Sequence, residues 1–132
     1  METVELTKDA VFTDIKDAEN LELAIESVVK KKGYEHIKAN IEGYDQPTSF
    51  VNSRTGNEYI PDITAERFGK KSYFEVAIKN NQVRKLVNKW ELLSNLANMK
   101  KGKFHLLAPR GHFAFTQRLC AKHNIMANII KL

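Results

Sequence analysis

Two largely apolar runs, each carrying a single acid, lie side by side in the middle of the chain. Tyr59-Ile60-Pro61-Asp62-Ile63-Thr64-Ala65 and Ser72-Tyr73-Phe74-Glu75-Val76-Ala77-Ile78-Lys79 read as strands. The connection Glu66-Arg67-Phe68-Gly69-Lys70-Lys71 carries a turn glycine and three positive charges, so the pair predicts a β-hairpin. A symmetric turn sets Asp62 opposite Glu75, Ile60 opposite Ala77 and Glu58 opposite Lys79. Phe74, Val76 and Ile78 share one face, and burying that face commits both acids to the other.

Helical periodicity brackets this hairpin. Leu21, Ala24, Ile25, Val28 and Val29 predict a helix, closed by Lys30-Lys31-Lys32 before Gly33 as the helix dipole and a glycine cap favour. Tyr34 to Tyr44 alternates as a half-polar strand. The stretch from Asp45 to Asn57 is rich in turn residues, with Phe50-Val51 expected to pair back onto the start of the hairpin. Val83, Leu86, Val87, Trp90, Leu93 and Ala97 form the clearest apolar stripe, which makes Trp90 a core residue. Arg84, Lys85 and Lys89 are placed off that stripe, facing solvent. Phe104 to Ala108 predicts a strand that Pro109-Arg110-Gly111 stops. A helix from about His112 to His123, capped by Asn124, and a strand from Met126 to Leu132 complete the chain. Met1 to Phe12 reads as a tail or a short strand.

The order helix, strand, strand, strand, helix, strand, helix, strand predicts an α/β fold. Helical crossovers make the last three strands parallel and the hairpin adds antiparallel pairing, giving a three-layer mixed β-sheet flanked by helices. At 132 residues the chain fits one domain spanning 1–132.

Composition sharpens the picture mainly through charge. The formal net charge is +5, but residues 1–66 hold seven Lys/Arg against fourteen Asp/Glu and residues 67–132 hold fourteen against two. A basic second half points to a polyanionic partner such as nucleic acid, with Arg84, Lys85, Lys89 and Arg110 as candidate contacts. At the Pro109-Arg110-Gly111 corner, free backbone N–H groups at a helix start beside Arg110 suit a phosphate, although a plain strand-to-helix turn explains the same residues. No apolar run is long enough to span a bilayer, the acidic N-terminus is unlike a signal peptide, and Cys120 is the only cysteine. These features point to a cytoplasmic protein with no membrane partner and no intrachain disulfide. Cys120 and His123 are three residues apart, but no second pair has ligand spacing, so a small core cysteine is the simpler account.

The chemistry sits in the hairpin. Directly opposed carboxylates in a sheet repel, by up to about 1 kcal/mol, and a bound cation offsets that repulsion. Pro61-Asp62, an acid in the next strand at Glu75 and a nearby lysine resemble the restriction-endonuclease-like PD-(D/E)xK nucleases. The resemblance covers nearly the whole chain from Leu21 onward and implies a restriction-endonuclease-like core. It implies that Asp62 and Glu75, with the carbonyl of Val76, hold Mg2+, for which Mn2+ can substitute. The family motif has its lysine two residues after the second acid, where this chain has Ala77. Lys79, two residues further on the same strand face, is the candidate replacement. The same resemblance makes Glu26 of the first helix and Gln82 possible accessory residues. The small basic build is similar to archaeal Holliday-junction resolvases, which act as dimers.

Two functions follow from these residues. One is a Mg2+-dependent endonuclease acting on DNA phosphodiesters through Asp62, Glu75 and Lys79. The alternative is a catalytically inactive nuclease-like module that binds nucleic acid or a protein partner, with Lys79 merely pairing Glu58 across the hairpin.

Overall fold

The computed structural model describes residues 18–132, so the expected tail at Met1–Phe12 lies outside the described residues. The elements run α1 (Ala18–Ala24), β1 (Glu35–Ala39), β2 (Phe50–Val51), β3 (Glu58–Tyr59), β4 (Ile63–Arg67), β5 (Lys70–Val76), α2 (Val83–Met99), β6 (Phe104–Ala108), α3 (Phe113–His123) and β7 (Asn128–Lys131). Helix α1 continues without a break into a π-helical segment, Ile25–Val29, whose wider turn lets Ile25, Val28 and Val29 all face inward.

Five strands form one sheet in the order β1-β4-β5-β6-β7, and β2 and β3 form a separate ribbon. The β1–β4 and β4–β5 pairs are antiparallel, whereas β5–β6 and β6–β7 are parallel. The fold is therefore α/β, with a mixed sheet flanked by helices. Alternation along β5 separates two cores. Phe74 and Val76 pack with Ile63, Leu107 and the α1 segment on one face. Tyr73 and Ala77 pack with Leu106, Leu86, Trp90 and Leu119 on the other, which α2 and α3 cover. No helix among the described residues is long and apolar enough to cross a membrane.

The hairpin register matches the symmetric expectation, with Ile63 opposite Phe74 and Thr64 opposite Tyr73. Its connection is tighter than expected. Arg67 pairs with Lys70, and only Phe68 and Gly69 turn, at φ 54 and 72, the positive pair that marks a type I′ turn. The expected strand 59–65 is interrupted at Pro61-Asp62, because Pro61 has no N–H to give and Asp62 spends its N–H on a side chain. Glu58 and Tyr59 pair with Val51 and Phe50, as expected for the ribbon, which leaves Glu58 opposite Val51 rather than Lys79. Strand β1 is shorter than the alternating run, ending at Ala39, with an irregularity between Glu35 and Lys38 where His36 has φ 52.

The chain after α2 returns hard against β5. Lys103 donates its N–H to Ser72 Oγ at 2.9 Å, and Tyr73 N–H donates to the Lys103 carbonyl at 2.9 Å. Only glycine fits at position 102, since a Cβ there would lie 1.7 Å from the Lys71 carbonyl oxygen. This junction sets α2 across the face of β5 that carries Glu75.

Candidate functional site

Asp62 ends the gap before β4, and Glu75 is the penultimate residue of β5. Continuing the ladder one step past Ile63–Phe74 brings the two acids together where backbone pairing stops. Side chains take over there. Glu75 Oε2 accepts the Asp62 N–H at 2.7 Å, and Asp62 Oδ2 accepts the Val76 N–H at 2.9 Å. Each carboxylate thus ties down the backbone of the opposite strand through a charge-assisted hydrogen bond.

The cation beside them is Lys89 of α2. Its Nζ lies 3.0 Å from Glu75 Oε1 and 3.9 Å from Asp62 Oδ1. Asp62 is 2% exposed, Glu75 0% and Lys89 2%. This overturns the solvent-facing placement of Lys89. The signal was in the sequence: Lys89 follows Leu86 by three residues and precedes Leu93 by four, within the buried stripe of the helix. A charged residue at such a position is read as exposed unless a buried counter-charge awaits it across the interface, and here the acid pair supplies one. Two carboxyl groups and one lysine amine thus meet in a dry setting. Such a group is poor evidence for stability, because desolvating three charges costs several kcal/mol per ion. Buried clusters of this kind concentrate at functional sites.

Ala77, standing where the motif lysine is expected, is fully buried in the apolar cluster that also holds Leu86 and Trp90. A lysine at this strand position would have to bury its side chain within that apolar cluster, whereas Lys89 on α2 reaches the acids directly.

The remaining expected site residues scatter. Lys79 lies beyond β5 with its side chain exposed, and its backbone N–H donates to His112 Nδ1 at 2.9 Å. Gln82 is exposed at the start of α2, its N–H bonded to Asn80 Oδ1 at 2.6 Å. Glu26 is also exposed and ion-paired with Lys30 at 2.7 Å, on the helical segment that covers the opposite sheet face. It is not brought to the acid pair. Arg84 is exposed and Lys85 half-buried, on α2. Arg110 is exposed at the corner between β6 and α3 and lines a cavity of about 520 Å³ with Phe113 and Lys131. Cys120 is buried, and burial pushes its thiol up to about 11, so it is not an activated nucleophile.

Sequence reasoning missed two histidines. His112 receives the Lys79 N–H and thereby joins the end of β5 to the start of α3. His105 is buried in β6, stacked on Phe74 at 4.7 Å and 3.4 Å from the Tyr34 hydroxyl, and its Nδ1 has no hydrogen-bond partner among the described residues. Burial, aided by Lys32, Lys103 and Arg67, lowers it to about 4, so it is neutral at physiological pH.

Among the described residues no group of three or more His, Cys, Asp and Glu side chains is arranged to hold a metal. The donor chemistry of the pair still suits a hard divalent cation, which takes oxygen ligands. Compared with protein-family models, curated proteins and solved structures, the chain matches none of them.

Proposed function

We propose that the protein is a Mg2+-dependent nuclease acting on DNA, with a restriction-endonuclease-like core in which Lys89 of α2 takes the part of the missing motif lysine. The observation that carries this reading is the convergence of Asp62, Glu75 and Lys89 within 3.9 Å at the edge where β4 and β5 part. The charge split supports it, since fourteen Lys/Arg against two Asp/Glu in residues 67–132 suit a polyanionic substrate.

The two carboxylates and the Val76 carbonyl would hold the metal, with Mn2+ a workable substitute. When bound, Mg2+ supplies Lewis-acid polarisation of a phosphoryl oxygen and a more acidic water. The chain's own residues do the positioning. The Asp62 and Val76 N–H groups fix both carboxylates, so neither swings when charge builds up nearby. Lys89, braced on Glu75, donates to a phosphate oxygen or to the attacking water and offsets charge developing at the scissile phosphate. Arg84, Lys85 and Arg110 contact backbone phosphates and carry no sequence information.

The burial of all three charged groups favours a second reading, in which the trio is an ionic lock holding α2 to the hairpin and the basic half binds nucleic acid without cleaving it. Cleavage separates the two. Incubated with a panel of duplex, branched and single-stranded DNA in Mg2+ or Mn2+, the native protein should cut at least one substrate. Glu75→Gln and Lys89→Met should lose at least about a hundredfold in rate, comparable to losing one electrostatic stabiliser. Lys79→Ala should keep the rate. Cleavage that survives Lys89→Met but not Lys79→Ala would return the catalytic lysine to the strand. No cleavage, together with no rise in melting temperature on adding Mg2+, would leave the ionic lock standing.

A further inference from the structure

The end of the sheet away from Asp62 and Glu75 has a feature that catalysis does not use. Phe68 sits at the tip of the β4–β5 turn, 89% exposed and at φ 54. Bulky residues avoid this left-handed conformation, which Asn and Gly take readily, and a type I′ turn favours Asn-Gly. Phe68 therefore gains neither burial nor backbone ease from its place, and folding alone does not account for it.

Its surroundings are cationic. The Arg67 guanidinium lies 4.7 Å from the centre of the Tyr34 ring and 5.5 Å from that of Phe68, and it donates to the Lys32 carbonyl at 2.6 Å. That bond brings the lysine run at the end of the first helical segment beside the hairpin tip, with Lys31 and Lys32 exposed. Lys70 is exposed just after the turn. Burial lowers the Lys71 ammonium from its ordinary range, and Lys100 and Lys38 lower it further, against the opposing pull of Glu66. Glu66 and Glu35, opposite each other in β4 and β1, are the acids near this end.

We infer that the hairpin tip is a contact site for unpaired nucleotides, in which Phe68 stacks on an exposed base while Arg67, Lys70 and the neighbouring lysines hold the flanking phosphates. An aromatic ring offers every base a π-face without reading its sequence. Bases inside a duplex are already stacked, so only a single strand, a frayed end or a branch can engage Phe68. Along β5, Lys70 lies five residues from Glu75, about 17 Å at about 3.3–3.4 Å per residue. The tip thus meets unpaired DNA a short distance from the acid pair. The inference rests on nucleic acid being the partner, as proposed above, but not on cleavage.

Fluorescence anisotropy of labelled oligothymidine and of a blunt-ended, GC-clamped duplex without a loop, in the absence of divalent cations, tests it on the full chain. Phe68→Ala and Phe68→Asn should weaken single-strand binding about five- to hundredfold and leave duplex binding unchanged. Phe68→Trp should retain affinity, and its added emission should be quenched by the oligonucleotide. Phe68→Asn should melt no lower than the native protein, because Asn suits the turn, so the loss cannot be assigned to unfolding. Equal single-strand affinity in native and Phe68→Ala proteins, or equal losses on both ligands, would overturn the hairpin's role while leaving the proposed function in place. A native protein that binds neither ligand, even at low salt, would overturn both.

Discussion

Lys89→Met removes a cation that lies 3.0 Å from one buried carboxylate and 3.9 Å from another, and its cost can be worked from those distances. At an effective dielectric of about 20, unit charges 3.0 Å apart attract by about 5.5 kcal/mol and charges 3.9 Å apart by about 4.3 kcal/mol. Desolvation of the three groups offsets most of that gross attraction in the native protein. Removing the lysine leaves the desolvation in place and takes away its compensation, so the variant should lose about 3–5 kcal/mol. That is a large part of the 5–15 kcal/mol typical of a domain, by order of magnitude. Urea unfolding in the presence of a chelator, followed by the emission of Trp90, reads it directly; Trp90 is the only tryptophan and is fully buried. With a slope of about 1.5 kcal/mol per M, the midpoint should fall by roughly 2–3 M. A double-mutant cycle then apportions the loss. Coupling of Lys89 to Glu75, through Lys89→Met and Glu75→Gln, should exceed its coupling to Asp62, through Asp62→Asn, because Glu75 is the nearer partner. A cost below about 1 kcal/mol, or stronger coupling to Asp62, would refute this account of the trio.

Two further outcomes test other parts of the fold. His105 is held down to about 4 by burial, from an ordinary value of 6.5, so the unfolded chain binds a proton that the folded protein refuses between those values. Its contribution to stability is intact above pH 6.5 and should drain away, by up to about 3 kcal/mol, as the pH falls from 6.5 to 4. Melting curves across that window should slope less steeply for His105→Phe, which keeps the stack on Phe74; an unchanged slope would exonerate His105. Gly102→Ala places a Cβ 1.7 Å from the Lys71 carbonyl oxygen and 2.5 Å from its carbon, both backbone atoms that cannot step aside. The loss on unfolding should reach about 3 kcal/mol or more, and a loss under about 1 kcal/mol would mean that the α2–β5 junction is looser than described.

The sequence by itself determined the scaffold that brings the acids together. Alternation in Phe74, Val76 and Ile63 sets which face each strand buries, and a one-residue slip would expose that whole set, so the hairpin register and the opposition of Asp62 and Glu75 were legible. The crossovers through α2 and α3 required parallel pairing of β5, β6 and β7, and that too followed from element order. Trp90 was legible as core because apolar periodicity is a local property.

What only the tertiary structure decided was where the charges went. Lys79 is close to Glu75 along the chain, yet β5 ends at Val76 and leaves the Lys79 side chain in solvent. Lys89 is distant in sequence, and its charge argued for the surface although its position falls within the buried stripe of α2. Its burial depends on a counter-charge presented by another element after α2 has docked. The tight Phe68-Gly69 turn shares this dependence, since the ladder between β4 and β5 holds Phe68 in a conformation that its own preferences oppose. Apolar burial is additive along an element and can be read from it, whereas the sign of a buried charge's free energy is set by partners that meet only in three dimensions.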